Sequence, residues 1–200
     1  MGSRSAAAAV IEERPRCWWS EGDKPDPRML RYHDEDWGTP VHDDAALFER
    51  LSLEAFQAGL SWSTILNKWD AFHKAFKGFK PKVVAAFGLA DRERLMADAG
   101  IVRNGAKIDA TIGNAKVALE IIAEFGSLDA YFRTIVPPAK PLPARTWPGD
   151  LPDTTPVAEG LSADLRRRGM RFVGPTVVYS FMQSVGLVDD HLPNCFRYRG

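Results

Sequence analysis

Three clusters of side chains in this sequence could do chemistry. The first is built on Glu54. Leu47, Leu51, Glu54 and Ala58 fall at i, i+4, i+7 and i+11, so the carboxylate shares the apolar stripe of a helix. A buried carboxylate is costly unless something pairs with it. Two readings are open: a structural acid held by backbone amides or an arginine, or an acceptor aimed into a pocket. Trp62, four residues beyond Ala58, would give such a pocket an aromatic platform.

The second cluster joins thiols and imidazoles. Cys17 lies in RCWWS, His33 in RYHDEDWG, and His191 and Cys195 in VDDHLPNC. The His191-x3-Cys195 spacing suits two ligands on one turn, and two thiolates with two imidazoles make a closed tetrahedral zinc site. With no fifth candidate to supply an open position, such a site would be structural and would clip the chain ends together. The alternative is four unrelated polar residues, because the two ligand pairs are far apart in sequence. A disulfide between the two cysteines is disfavoured in a reducing cytoplasm. His42 and His73 have no comparable neighbours and read as surface or helix-end residues.

The third cluster runs from Leu161 to Gly186: a helix, the tight turn RFVG, Pro175 at a helix start, then VVYSFMQSVG. A helix N-terminus after a glycine hairpin can offer backbone N–H groups to a phosphate. Arg166, Arg167, Arg168 and Arg171 stand beside it. An ordinary helix connection with a solvated arginine face fits the pattern too. Of six tryptophans, Trp18, Trp19, Trp37 and Trp62 flank the polar residues just named. Aromatics grouped with an acid and a tyrosine suit a flat, electron-poor ligand better than a dry core.

The elements that must position these groups are helical. Asp43 or Asp44 caps a helix running to about Gly59. Trp69, Phe72, Phe76 and Phe79 mark a short aromatic helix, Pro81 opens another, and Asp91 caps a segment that Gly100 stops. Ile108, Ile112, Ala115, Leu119 and Ile122 form the longest stripe, ending at Gly126, and Ser127 starts a short helix to about Val136. Ser162 caps a helix ending at Gly169, and a last helix runs from Pro175 to about Gly186. Seven of the fourteen prolines lie between Pro137 and Pro156, too dense for a helix or central strand. No run alternates with period two, so the fold class is all-α.

Composition bounds the rest. Two hundred residues form one domain or two small lobes, here read as a disordered tail over 1–15 and a single domain over 16–200. The 26 basic and 26 acidic residues cancel, so contact with nucleic acid must be local and not a general coating. No apolar run approaches the roughly 18 residues of a membrane span. The first residues lack the pattern of a secretory signal, so the expected location is the cytoplasm.

Taken together, the blocks RCWWS, YHDEDWGTPVHDD, LFERLSLEAFQAGLSWSTIL, DAGIVRNGAKIDATIGNA and RRRGMRFVGPTVVYSFMQSVGLVDDHLPNC resemble the DNA-3-methyladenine glycosylase I family, in order from Arg16 to Cys195. The resemblance implies a helix-hairpin-helix glycosylase fold and excision of 3-methyladenine from double-stranded DNA, leaving an abasic site. It implies zinc on Cys17, His33, His191 and Cys195, and DNA contact through Arg171, Phe172, Val173, Gly174 and Thr176. For the base it implies Glu54 and Tyr32 as polar contacts, with Glu54 the catalytic candidate, Trp62 as stacking face, and Trp19 and Trp37 as walls. A monomer is expected. The rival reading is a non-catalytic DNA- or nucleotide-binding protein that kept the fold.

Two positions depart from the family's pattern. Ala55 stands where the family often has glycine, and Asp189-Asp190-His191 where it commonly reads Asn-Asp-His. Asp189 thus falls where other helix-hairpin-helix glycosylases keep a catalytic aspartate. GPTVV carries no lysine for a Schiff base, which implies a monofunctional enzyme.

Overall fold

The structure is a computed structural model and describes residues 14–21, 26–138 and 151–199. Residues 1–13 of the expected tail over 1–15, and most of the proline-rich loop, therefore lie outside the described residues. Among those residues the regular structure is entirely helical, without a strand. The helices are α1 (Trp18–Glu21), α2 (Pro27–Arg31), α3 (Asp44–Gln57), α4 (Trp62–Ala75), α5 (Pro81–Val84), α6 (Leu89–Ala97), α7 (Gly105–Phe125), α8 (Leu128–Ile135), α9 (Pro156–Arg167) and α10 (Pro175–Ser184). A π-helical turn over Tyr32–Asp36 continues α2, and a 3-10 turn over Lys77–Phe79 follows α4.

Side-chain caps set most of the helix starts. Asp43 accepts from the Ala46 N–H at 2.9 Å, Asn104 from Lys107 at 3.2 Å, and Ser127 from Ala130 at 3.0 Å. Gly126, at φ 87°, ends α7 in the left-handed conformation.

Three expectations are corrected. The aromatic helix begins earlier, at Trp62, because Ser61 caps it, and Phe79 falls in the 3-10 turn. Asp91 does not cap α6 from outside. It sits in the first turn, where its carboxylate accepts from the Gly88 N–H at 3.3 Å. Ser162 lies inside α9, which Thr155 caps with Pro156 in its first turn. The Ser162 hydroxyl is buried and donates to the Val173 carbonyl at 2.7 Å, holding the hairpin.

The core gathers around α3, ten of whose fourteen residues are buried. A helix surrounded on so many sides must carry its polar residues into the interior, and α3 carries Glu49, Arg50, Ser52 and Glu54 there. It packs against α4, α7 and α10, while α9 packs on α10. Lys107 of α7 is buried and donates to the carbonyls of Phe56 and Ala58 at 2.8 and 2.6 Å. These are free carbonyls at the end of α3, so a cation there satisfies them and complements the helix dipole.

Candidate base pocket and metal centre

The end of α3 and the start of α4 set up one wall of a cavity. Gln57 donates to the Leu60 carbonyl at 2.9 Å and the Ser61 hydroxyl caps α4, which fixes Trp62 as the first residue of that helix. Tyr32, in the π turn, brings its ring to 5.1 Å from Trp62 between centroids. Trp19 and Trp37 meet edge to face at 5.0 Å, and Trp19 lies 6.3 Å from Tyr32. The resulting cavity, about 350 Å³, is lined by these four aromatics with Glu54 and also by Met29, Gln57, Leu151, Ser180 and Gln183. That volume falls in the usual range for small-molecule sites. All five residues expected at a base pocket are thus brought together.

Glu54 is 5% exposed, and its carboxylate makes no hydrogen bond or ion pair with any described residue. Burial pushes its pKa up to about 8, opposed only by the charge of Arg50 one turn earlier. That guanidinium is already engaged: it donates to Asp36 at 2.8 Å and lies over the Trp69 ring at 4.4 Å. Burial, reinforced by the charge of Glu54, likewise holds the Tyr32 phenol well above its usual range, so it stays a hydrogen-bond donor. The indole N–H of Trp62 is buried without a partner among the described residues. An acid, a phenol and an indole therefore share one aromatic-walled cavity. Of the two readings of Glu54, the structural acid bonded to amides or an arginine is not found among the described residues.

On the other side of the π turn, His33 faces a second cluster. Cys17, His33, His191 and Cys195 are all buried, and one ligand atom from each lies within 4.8 Å of the others. Cys195 Sγ is 3.3 Å from His33 Nε2 and 3.5 Å from His191 Nδ1, and Cys17 Sγ is 3.6 Å from His191 Nδ1. Tetrahedral Zn²⁺ with bonds of about 2.0–2.3 Å needs ligand separations of roughly 3.3–3.8 Å, so the donor set and its spacing fit a zinc ion. The outer partners fit as well. His33 Nδ1 meets Asp34 at 2.8 Å, Asp34 is gripped by Arg16 at 2.7 Å, and Nε2 is thereby left to face the cluster. Gly38, at φ 72°, must be glycine: a Cβ there would lie 2.8 Å from His191 Nε2.

The hairpin between α9 and α10 is clasped from behind. Asn114 of α7 donates to the Arg171 carbonyl at 2.9 Å and accepts from its N–H at 2.8 Å. Val173 is buried, whereas Arg171, Phe172 and Thr176 are exposed and Gly174 is partly so. Phe172 holds φ 56°, an uncommon conformation for a non-glycine residue, at the turn itself. The arginine cluster divides. Arg168 bridges Asp164 and Glu124, and Arg167 pairs with Asp164, so both are committed internally. Arg166 and Arg171 are exposed without an ion pair among the described residues.

Asp189 does not line the aromatic pocket. Its carboxylate accepts from the His191 N–H at 3.1 Å and borders a separate apolar cavity with Val136, Pro138 and Tyr179. Sequence reasoning missed Ser180 and Gln183, which fall three apart on the largely apolar α10; polar residues at helical spacing were the available signal.

An all-helical domain with a glycine hairpin beside an aromatic, acid-bearing pocket has the make-up of a base-excising glycosylase. A family model for methyladenine glycosylase matches residues 19–198. The DNA-3-methyladenine glycosylase 1 of Escherichia coli (strain K12) is 40% identical over 185 residues, covering 92% of this chain and 97% of that protein. A crystal structure of 3-methyladenine DNA glycosylase I matches with a TM-score of 0.86 at 38% identity, over 92% of this chain and 100% of that one. A structure of the Staphylococcus aureus enzyme, described as the structural basis of its 3-methyladenine recognition, matches with a TM-score of 0.81 at 38% identity, over 85% and 90% of the two chains. The chain belongs to the methyladenine glycosylase family, and its all-helical fold is the expected one.

Proposed function

We propose that this protein excises 3-methyladenine from double-stranded DNA as a monomeric, monofunctional glycosylase. The observation that carries the reading is Glu54: a buried carboxylate, without a partner among the described residues, in a cavity walled by Tyr32, Trp62, Trp19 and Trp37. Recognition of 3-methyladenine by the Staphylococcus aureus relative supports the choice of base.

A base methylated at N3 carries positive charge in DNA, so its glycosidic bond is already weak and selection is the harder task. The flipped nucleotide enters the aromatic cavity, where a cation gains from the π faces of Trp62 and Tyr32. Glu54 accepts from the exocyclic amino group, and the arriving cation favours its ionised form. The C1′–N9 bond breaks with its electron pair going to the base, which leaves neutral. The oxocarbenium-like sugar is captured by water to give an abasic site. Cys17, His33, His191 and Cys195 would hold a structural Zn²⁺, which supplies a cross-link and no reacting group.

The decisive measurement is release of free bases from alkylated DNA, separated by identity. Release of 3-methyladenine is expected. DNA binding with no base released would leave the non-catalytic reading standing.

DNA contact through Arg171, Phe172, Val173, Gly174 and Thr176 gives two smaller expectations. Arg171→Ala should lower the slope of log affinity against log salt by about one, the loss of roughly one phosphate contact. A Cβ at Gly174 would meet nothing within 4 Å, and its φ of −65° suits any residue. Gly174→Val should therefore leave thermal stability unchanged while weakening binding to abasic-site DNA, because the added branch stands where a phosphate must approach. Unchanged binding in both variants would move the DNA surface elsewhere.

A further inference from the structure

The pocket has a second hydrogen-bond acceptor, and its orientation is set from behind. Gln183 of α10 donates through Nε2 to Asp190 Oδ2 at 2.8 Å. Asp190 is buried, and the same oxygen accepts from the Tyr179 hydroxyl at 2.5 Å. A carboxylate that is already accepting can hold only the NH₂ end of an amide, so Oε1 is the end left for the pocket. That oxygen makes no hydrogen bond with any described residue. The Gln183 carbonyl accepts from the Gly38 N–H at 3.1 Å, which fixes the backbone from which the side chain projects. Neither aspartate of this loop reaches the pocket directly: Asp189 faces another cavity, and Asp190 is shielded by Gln183.

We propose that Gln183 Oε1 holds the water that attacks C1′, with Asp190 as the positioning residue that fixes the amide. The proposal rests on the base-pocket reading above. With the base among the aromatics and hydrogen-bonded to Glu54 on α3, the nucleophile must reach C1′ on the face opposite the departing N9. The α10 wall, on the helix that leads directly from the hairpin, offers Gln183 Oε1 as an acceptor for it. An amide cannot take the proton, and this reaction does not require it to. The electron pair of the C1′–N9 bond leaves with the base, water oxygen forms the new bond to C1′, and its proton passes to solvent. What the amide supplies is orientation of one water.

The test compares the wild type with Gln183→Met, which keeps length and removes both amide functions. Single-turnover excision of 3-methyladenine from alkylated DNA should slow about tenfold or more. Affinity for free 3-methyladenine should stay within about twofold, since the base contacts are intact. In water–methanol mixtures the variant should give a higher ratio of methyl glycoside to abasic product, because a held water no longer outcompetes methanol. A merely structural role would not move that ratio. Circular dichroism and metal content monitor folding, and Gln183→Asn, one methylene shorter, gives a second measure should the methionine variant misfold. Free-base affinity falling in step with the rate would make Gln183 a base contact and overturn the proposal, as would an unchanged rate or ratio. Glu54→Gln and Trp62→Ala, titrated alongside with free base, report on the pocket itself. Wild-type affinity in those two would fault the pocket reading and not Gln183 alone.

Discussion

Glu54→Gln is expected to bind 3-methyladenine more weakly and yet to be the more stable protein. The affinity loss follows from replacing a carboxylate acceptor with an amide. Measured above about pH 8, where Glu54 is ionised, one charge-assisted hydrogen bond is worth roughly 1.5–3 kcal/mol, about ten- to a hundredfold in binding. Trp62→Ala should lose about 1–3 kcal/mol of stacking by comparison. The stability gain follows from proton linkage. Burial raises the Glu54 carboxyl from 4.5 to about 8 in the folded protein, so the folded state holds a proton that the unfolded chain releases at lower pH. Below about pH 4.5 both states are protonated and the site costs nothing through ionisation. As pH rises from there towards 8 stability is lost, and above 8 the loss is complete. A tenfold difference in proton affinity between the two states corresponds to about 1.4 kcal/mol, so the total is a few kcal/mol. Glutamine does not titrate. The variant's melting temperature should match the wild type near pH 4.5 and exceed it increasingly up to pH 8–9. Equal melting temperatures at pH 9 would mean that Glu54 is compensated in the free protein, contrary to its unpartnered state.

The same linkage has a consequence for catalysis. Binding a cationic base to a protonated Glu54 must release a proton, so wild-type excision under subsaturating conditions should rise with pH towards about 8. The dependence should flatten in Glu54→Gln. A pH profile that is identical in both proteins would assign the titration to another group.

Loss of the metal should have the largest effect on stability. Purified protein is expected to carry about one zinc per chain, and Cys195→Ser or a strong chelator should lower the melting temperature sharply. The Cys17–His191 contact closes 174 residues, and chain-entropy arguments value cross-links over loops of a hundred residues or more at about 4–5 kcal/mol. Removing one thiolate also leaves the other three donors packed together in a buried site. The free-base affinity of the molecules that remain folded should change much less, since no pocket residue is a ligand. Metal-free protein of unchanged stability, with Cys17 and Cys195 joined as a disulfide, would remove the zinc assignment. Tyr32 and His33 are adjacent in one π turn, one at each site, so an ion held at the Cys/His cluster would also fix the phenol over the base cavity.

Local chemistry explains what was legible in the sequence. Asp43, Ser127 and Gly126 act on backbone groups within four residues, so residue type and spacing suffice to place those helix starts and that end. The inward register of Glu54 followed from the apolar stripe for the same reason. The short helices α1 and α2 and the π turn were not legible, because a few residues carry too little periodicity and their shape depends on packing. Ser162 has the side chain of a cap, yet its hydroxyl is used 11 residues away on the hairpin, a partner that only tertiary folding supplies. The four arginines look alike in sequence. Glu124 on α7 and Asp164 one turn earlier commit Arg167 and Arg168 and leave Arg166 and Arg171 to solvent, a division made by side chains up to 44 residues distant. Cys17 and His191 could be suspected of sharing an ion from their types, but their contact is decided by the way α3 and α10 bring the chain ends together. Gln183 shows the limit most directly. Its sequence neighbourhood is that of a core helix, and only the buried carboxylate of Asp190 behind it determines which end of its amide faces the pocket.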